Sequence, residues 1–254
     1  MTIKPLILIT NDDGNTSKGI EVLTRLMMQF GDVVVMAPDG SRSAQSNAIT
    51  ITQPIRYKKI EERAGLKSYT CDGTPTDCVK LALSELFGER KPDLLVSGIN
   101  HGSNAAVNVI YSGTMGAVLE GCENGIPSIG FSLTDHLPDA DFSFFEPYIL
   151  KITEQVLQNP LTYGYCLNVN CPVGKIKGVK IARQCKGNWV EGYERRIDPY
   201  GQPYFWIKGR FDNFEPNATD TDEWALANGF ISIVPTKIDM TAYELIPEIE
   251  KYQF

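Results

Sequence analysis

Histidine is scarce in this chain and its cysteines follow no pattern. Of 254 residues only two are histidine, His101 and His136, and neither has metal-motif spacing, which argues against a histidine-rich zinc site. The six cysteines (Cys71, Cys78, Cys122, Cys166, Cys171 and Cys185) include no Cys-x-x-Cys pair. A chain this long needs no disulfide framework, so they are expected to be reduced, mostly buried thiols in a cytoplasmic protein. Basic charge is also short. With 24 Lys and Arg against 31 Asp and Glu, the formal net charge of -7 argues against a nucleic-acid duplex as the main partner. The same balance repels a small anionic substrate unless a metal or local basic groups offset the field. No run approaches the length of a membrane span. The first apolar stretch is too short for a signal peptide and is broken by aspartates. Internal repeats and low-complexity tracts are missing as well.

Several phosphate and hydrolase signatures are absent too. Gly14-Asn15-Thr16-Ser17-Lys18-Gly19 has the outer glycines of a P-loop, but Ile20-Glu21 follows where Lys and Ser or Thr are required. No three-glycine dinucleotide pattern follows the first strand, and no Gly-x-Ser-x-Gly elbow supports a Ser-His-Asp triad.

What is present is an acidic pair in a telling place. Leu6-Ile7-Leu8-Ile9-Thr10 reads as a buried strand, stopped by Asn11-Asp12-Asp13-Gly14 as a tight turn. In an open α/β sheet ligands bind at the carboxyl ends of strands. Two adjacent carboxylates repel each other there, and a cation between them removes that cost. The same residues read equally well as a solvated turn in which one Asp caps the next helix.

Strand-like and helix-like segments alternate beyond this point. Ile20, Leu23, Leu26, Met27 and Phe30 recur at helical spacing behind a Ser17 cap, and Val33-Val34-Val35-Met36-Ala37-Pro38 is a second buried strand. Ile49-Thr50-Ile51-Thr52 alternates as an extended segment. Thr74-Pro75-Thr76-Asp77 opens a helix with a cap, a first-position proline and an acid in the first turn. Asp93 to Ser97, Ile126 to Phe131 and Cys166 to Val169 read as strands, and Ser112-Gly113-Thr114 precedes another helix. Such alternation predicts an α/β fold with a mostly parallel sheet covered on both faces. The pattern changes after residue 185. Arg195 to Lys208 reads as a hairpin turning at Asp198-Pro199-Tyr200-Gly201 and dense in aromatics. It is either a subunit interface or an arm folded onto its own domain.

The remaining site chemistry is oxygen chemistry. Asp12 and Asp13 are hard anionic ligands, and Ser43 and Asn100 lie in loops that follow strands and offer neutral oxygens. That shell suits Mg²⁺ or Mn²⁺. Ser112-Gly113-Thr114, at a helix N-terminus, is a candidate phosphate site. Taken singly, each of these residues also has a plain structural reading as a loop hydroxyl, a turn amide or a helix cap.

The ordered motifs resemble the SurE family, the stationary-phase survival proteins that act as metal-dependent 5'-nucleotidases. The matching stretches are Leu8 to Gly14 through Ser17-Lys18-Gly19-Ile20, Ala37-Pro38 with Arg42-Ser43-Ala44, and Gly73 to Val79. Ser97-Gly98-Ile99-Asn100-His101-Gly102-Ser103-Asn104 follows, then Tyr111-Ser112-Gly113-Thr114 leading into Glu120-Gly121. Thr219-Asp220 and Ser232-Ile233-Val234-Pro235 complete the set near the C-terminus, so the likeness spans most of the chain.

The resemblance implies a Rossmann-like catalytic core over residues 1–185 and a C-terminal extension over 186–254. Within the extension it implies an arm at about 190–211, a final strand returning to the core, and assembly into a homodimer or homotetramer. It implies one divalent metal ion per subunit held by Asp12, Asp13, Ser43 and Asn100, with phosphate on Asn104, Ser112, Gly113 and Thr114. The implied substrates are nucleoside 5'-monophosphates, also 3'-monophosphates, and short polyphosphate in some members. Asp12 or Asp13 would orient the attacking water or take its proton. Two other classes stand beside this one: a phosphatase forming a covalent aspartyl-phosphate, and a nucleotide-binding stress protein without turnover. The chain departs from the family at Ala105-Ala106, where a glycine is usual in one of the two positions. Glycine there takes φ > 0, which Ala resists, and the change bears on the loop backbone and its fit to the substrate. Val234 replaces a common Thr, with a minor effect expected.

Overall fold

The short apolar runs become the centre of a sheet because alternate residues bury on opposite faces. In the computed structural model, which describes residues 4–254, Ile7 and Ile9 join one hydrophobic cluster and Leu8 the other. Val33 and Val35 oppose Val34 and Met36 in the same way, and Leu94 and Val96 oppose Leu95. Each of these strands therefore needs helices on both sides.

The elements run β1 (Leu6–Thr10), α1 (Lys18–Met27), β2 (Asp32–Pro38), β3 (Tyr57–Arg63), β4 (Leu66–Cys71), α2 (Pro75–Glu85) and β5 (Leu94–His101). A 3-10 turn (Ala106–Ile110) leads to α3 (Gly113–Glu123), β6 (Ser128–Leu133), α4 (Glu146–Gln158), β7 (Tyr165–Cys171) and β8 (Gly178–Ile181). The hairpin β9 (Gly187–Ile197) and β10 (Pro203–Asn213), then α5 (Asp222–Ala227), β11 (Phe230–Lys237), a 3-10 turn (Tyr243–Leu245) and α6 (Ile246–Ile249) complete the chain.

Nine strands form one sheet in the order β3-β4-β2-β1-β5-β6-β7-β11-β8. β1 pairs in parallel with β2 on one side and β5 on the other, whereas β3 is antiparallel to β4 and β11 to β7. The chain thus winds outward from β1 in one direction, returns, and winds outward in the other. β1 and β5 flank the topological switch point, the crevice where such sheets bind ligands. The expected mostly parallel, helix-flanked sheet is what forms.

The capping signals are also found. Ser17 accepts from the Ile20 N–H, Ser112 from Met115, and Thr74 and Asp77 form a reciprocal capping box. All six cysteines are free and buried. Among the described residues no helix is long and apolar enough to cross a membrane.

Two readings of the sequence are revised. Ile49 to Thr52, expected as an extended segment, joins no sheet: Thr50 gives its backbone N–H (3.0 Å) and hydroxyl (2.7 Å) to the Asp77 carboxylate instead of to a sheet neighbour. The hairpin is longer than expected, pairing Gly187 with Asn213 through Ile197 with Pro203, and it stands apart from the main sheet.

Candidate active site

The turn after β1 is built by Asn11. Its Nδ2 donates to the Gly14 carbonyl (2.9 Å) and to Ser17 Oγ (2.8 Å), and its Oδ1 accepts from the Gly14 N–H (3.2 Å). Gly14 turns the chain at φ +102°, a conformation that disfavours side chains. The turn holds Asp12 and Asp13 at the carboxyl end of β1. The Arg42 N–H donates to the Asp12 carbonyl (2.7 Å), stitching the loop that carries Ser43 alongside.

Asp12 is buried, and Thr114 donates its hydroxyl to Asp12 Oδ1 at 2.5 Å. The close approach depends on Gly113, where a Cβ would lie 2.8 Å from the Asp12 Cβ. Burial pushes the Asp12 carboxyl from its ordinary 3.8 to about 6, against the pull of the Thr114 hydrogen bond and with added repulsion from Asp13. A carboxylate in that position is stabilised by a proton or by a cation beside it.

Asp13 has a different anchor. Its Oδ2 accepts the His101 backbone N–H (3.2 Å) and meets His101 Nδ1 at 3.0 Å. The His101 ring lies edge-on to Phe142, and its Nε2 is buried without a partner. A proton on Nε2 would be an unpaired buried donor, so the ring carries its proton on Nδ1 and donates it to Asp13.

The β5 register shifts between Ser97 and Asn100; Asn100, expected in a loop, lies within β5 opposite Ser132 of β6, and its Nδ2 donates to the Gly102 carbonyl (2.8 Å). That bond fixes the carboxamide and leaves Oδ1 as its available oxygen. Ser43 is exposed, with its Oγ 3.0 Å from Ser41 Oγ. Asn104 is buried in an amide network: its N–H donates to Asn170 Oδ1 (2.7 Å), its Nδ2 to Ser132 Oγ (2.9 Å), and its carbonyl accepts from Asn168 Nδ2 (2.8 Å).

Asp12, Ser43, Asn100, Asn104 and Ser112 line one cavity of about 480 Å³. Asp13, Gly113 and Thr114 do not line it. Thr114 and Gly113 back Asp12, and Asp13 is reached through His101, which does line the cavity. Among the described residues no cluster of three or more Asp, Glu, His or Cys is placed to hold a metal. Any cation here must complete its shell from neutral oxygens.

Sequence reasoning missed His101, the Asn168-Asn170-Ser132 support, and Trp189 and Phe211, which reach the cavity from the foot of the hairpin. The Asn168-x-Asn170 spacing carried a usable signal, since alternate strand residues share a face. Nothing local marked the others.

The chain is an α/β protein whose open sheet brings an acidic pair, amide oxygens and a helix N-terminus to its switch point, where folds of this class bind ligands. Residues 7–191 match the family model described as Survival protein SurE, and the chain belongs to that family. A 5'-nucleotidase SurE of Phocaeicola vulgatus is 52% identical over 250 residues, covering 98% of this chain and 97% of that one. The protein of the same name in Bacteroides thetaiotaomicron is 51% identical over 252 residues, covering 98% and 96%. Among solved structures, the SurE protein from Aquifex aeolicus matches with a TM-score of 0.82 and 38% identity, covering 97% of this chain and 98% of that one.

Proposed function

We propose that the chain is a phosphomonoesterase that hydrolyses nucleoside 5'-monophosphates to nucleoside and phosphate, using one Mg²⁺ or Mn²⁺ per subunit. The observation that carries this reading is the pairing of a buried, cation-demanding Asp12 with Asp13, Ser43 and Asn100 at the switch point, beside the N-terminus of α3. The name 5'-nucleotidase borne by relatives about half identical over nearly the whole chain supports it.

The donor set fits a hard divalent cation: two carboxylates, an amide oxygen and a hydroxyl, with no sulfur or imidazole required. When bound, such an ion supplies Lewis-acid polarisation of a phosphoryl oxygen and of the attacking water. The protein's own residues do the positioning. Thr114 fixes the Asp12 carboxylate, and His101 fixes Asp13, so both aspartates are aimed before substrate arrives. Either carboxylate orients the water and receives its proton. Asn104 and Ser112 meet the phosphate from the cavity wall, and the first backbone N–H groups of the Ser112-Gly113-Thr114 turn hold it at the positive end of the α3 dipole, the Thr114 hydroxyl being committed to Asp12.

The cavity favours a monophosphate carrying a neutral group. Its lining holds two carboxylates, Asp12 and Glu223, and no Lys or Arg, so a second phosphate finds no countercharge. Short polyphosphate is accordingly the poorer substrate, and 3'-monophosphates are a secondary one. The hairpin and its exposed aromatics, among them Tyr193, Phe205 and Trp206, are assigned to homodimer or homotetramer assembly.

The test is phosphate release from nucleoside 5'- and 3'-monophosphates and short polyphosphate, each with Mn²⁺, Mg²⁺ or chelator. Release from AMP only with metal is expected. No release under any metal would point to a nucleotide-binding protein without turnover, and a trapped acyl-phosphate on Asp12 would replace direct water attack with a covalent route.

A further inference from the structure

The cavity beside Asp12 has an aromatic end that phosphate chemistry does not use. Trp189 of β9 and Phe211 of β10 project from the foot of the hairpin into it, opposite Asn108 and Tyr111 of the 3-10 turn region. The Trp189 indole N–H donates to Asn108 Oδ1 at 2.7 Å, and the ring meets Phe211 edge-on, centroids 6.3 Å apart at 66°. Two ties therefore set the plane of the indole. Even so, 37% of Trp189 remains exposed.

A tryptophan with its polar atom satisfied and its edge packed, yet with open surface on a cavity wall, is a preorganised flat platform. The charge of the lining narrows what fits there. With Glu223 present, no Lys or Arg, and His101 and His136 as the lining's sole basic side chains, the lining disfavours a second phosphate, a carboxylate or another anion. The occupant it favours is a neutral, flat, apolar group attached to the phosphate held near Asp12. A cavity of about 480 Å³ lies in the range that encloses a ligand of mononucleotide size.

We propose that Trp189, held by Asn108 and Phe211, is the surface on which the base of a nucleoside monophosphate stacks, and that it sets the preference for nucleotides over simple phosphate esters. This rests on the phosphomonoesterase reading above. Its physical basis is stacking on a π face, which accepts any base and gives little discrimination between purines of similar area.

The test compares AMP with ribose 5-phosphate, which keeps the phosphate and sugar but lacks the base, using the full-length protein in its native oligomer with Mn²⁺. In Trp189→Leu, KM for AMP is expected to rise about 10- to 100-fold with kcat little changed, while ribose 5-phosphate kinetics stay at the wild-type level. Trp189→Phe, which keeps a stacking face and loses only the bond to Asn108, should retain most of the AMP affinity. It also guards against misreading a folding defect in Trp189→Leu. If Trp189 only anchors the hairpin, both substrates are impaired together, and the proposal is overturned. Calorimetric titration of AMP and adenosine separates this from failure of the enzymatic reading. Should the protein release no phosphate at all, weaker AMP binding by Trp189→Leu than by wild type still supports the platform. Equal binding by the two overturns it.

Discussion

Thr114 donates its hydroxyl to Asp12 Oδ1 at 2.5 Å, joining the first turn of α3 to the end of β1 across 102 positions of sequence. A charge-assisted bond this short, on a fully buried threonine, fixes the carboxylate that would otherwise be repelled by its neighbour Asp13. Thr114→Val keeps the volume and deletes the donor. It is expected to lower kcat about 10- to 100-fold and to cost about 1–3 kcal/mol in stability. Asp12→Asn should abolish turnover at any Mn²⁺ concentration. Steady-state phosphate release and denaturant melts check both.

The metal-free protein should respond to pH through Asp12. Its carboxyl sits at about 6 in the folded chain against an ordinary 3.8, chiefly because of burial, so the folded state binds the proton more tightly than the unfolded state. Stability contributed by this group is therefore present below the ordinary value and is lost as pH rises through about 6. The loss is of order 3 kcal/mol. Added Mn²⁺ restores it above pH 6 and does little near pH 4. Thermal melts with chelator and with Mn²⁺, at pH 4.5 and 7.5, should show the metal-induced rise in Tm only at the higher pH.

The His101 contact with Asp13 should be replaceable by an amide. His101→Asn presents Nδ2 close to where the imidazole presents Nδ1, and Mn²⁺ affinity should stay near wild type. His101→Leu removes the donor and should weaken Mn²⁺ binding about 10-fold or more, as loss of a hydrogen bond behind a ligand commonly does. Calorimetric Mn²⁺ titration of the two variants is the measurement. Equal affinity in both would show that Asp13 is held by the backbone N–H alone.

Ala106 takes the left-handed backbone that a glycine would take there. It adopts φ +50°, and its N–H is held by Asp222 Oδ2 at 2.8 Å. A left-handed alanine costs about 1–2 kcal/mol, partly offset by the greater unfolded-state freedom of glycine. Ala106→Gly should therefore stabilise the protein by about 0.5–1 kcal/mol in urea melts. Asp222→Ala should do the reverse and cost more, because Asp222 also accepts the Cys185 and Glu223 N–H groups.

Much of the fold was legible because the relevant signals are local. The β1, β2 and β5 strands declare themselves as apolar runs, and Ser17, Thr74 and Ser112 cap their helices as their side-chain chemistry requires. Other elements carried weaker marks. The β3 strand, Tyr57–Arg63, is exposed along its whole length and has no buried face to show as alternation. The start of α4 has Phe145 at its cap position and no side-chain hydrogen bond there. Ile49 to Thr52 had the right alternation and the wrong partner, since Asp77 took the hydrogen bonds a neighbouring strand would have used.

The sequence by itself determined the acidic turn after β1, the helix cap at Ser112 and the doubly covered sheet, because each depends on residues within a few positions of one another. Tertiary structure alone decided how these parts act together. Thr114 secures Asp12, His101 secures Asp13, and Trp189 reaches the same cavity from the far end of the chain. These contacts exist because β1 lies beside β5 in the sheet and the hairpin docks at Asn108. Pairings of that kind depend on burial and on the order of the strands, which no local run of residues encodes.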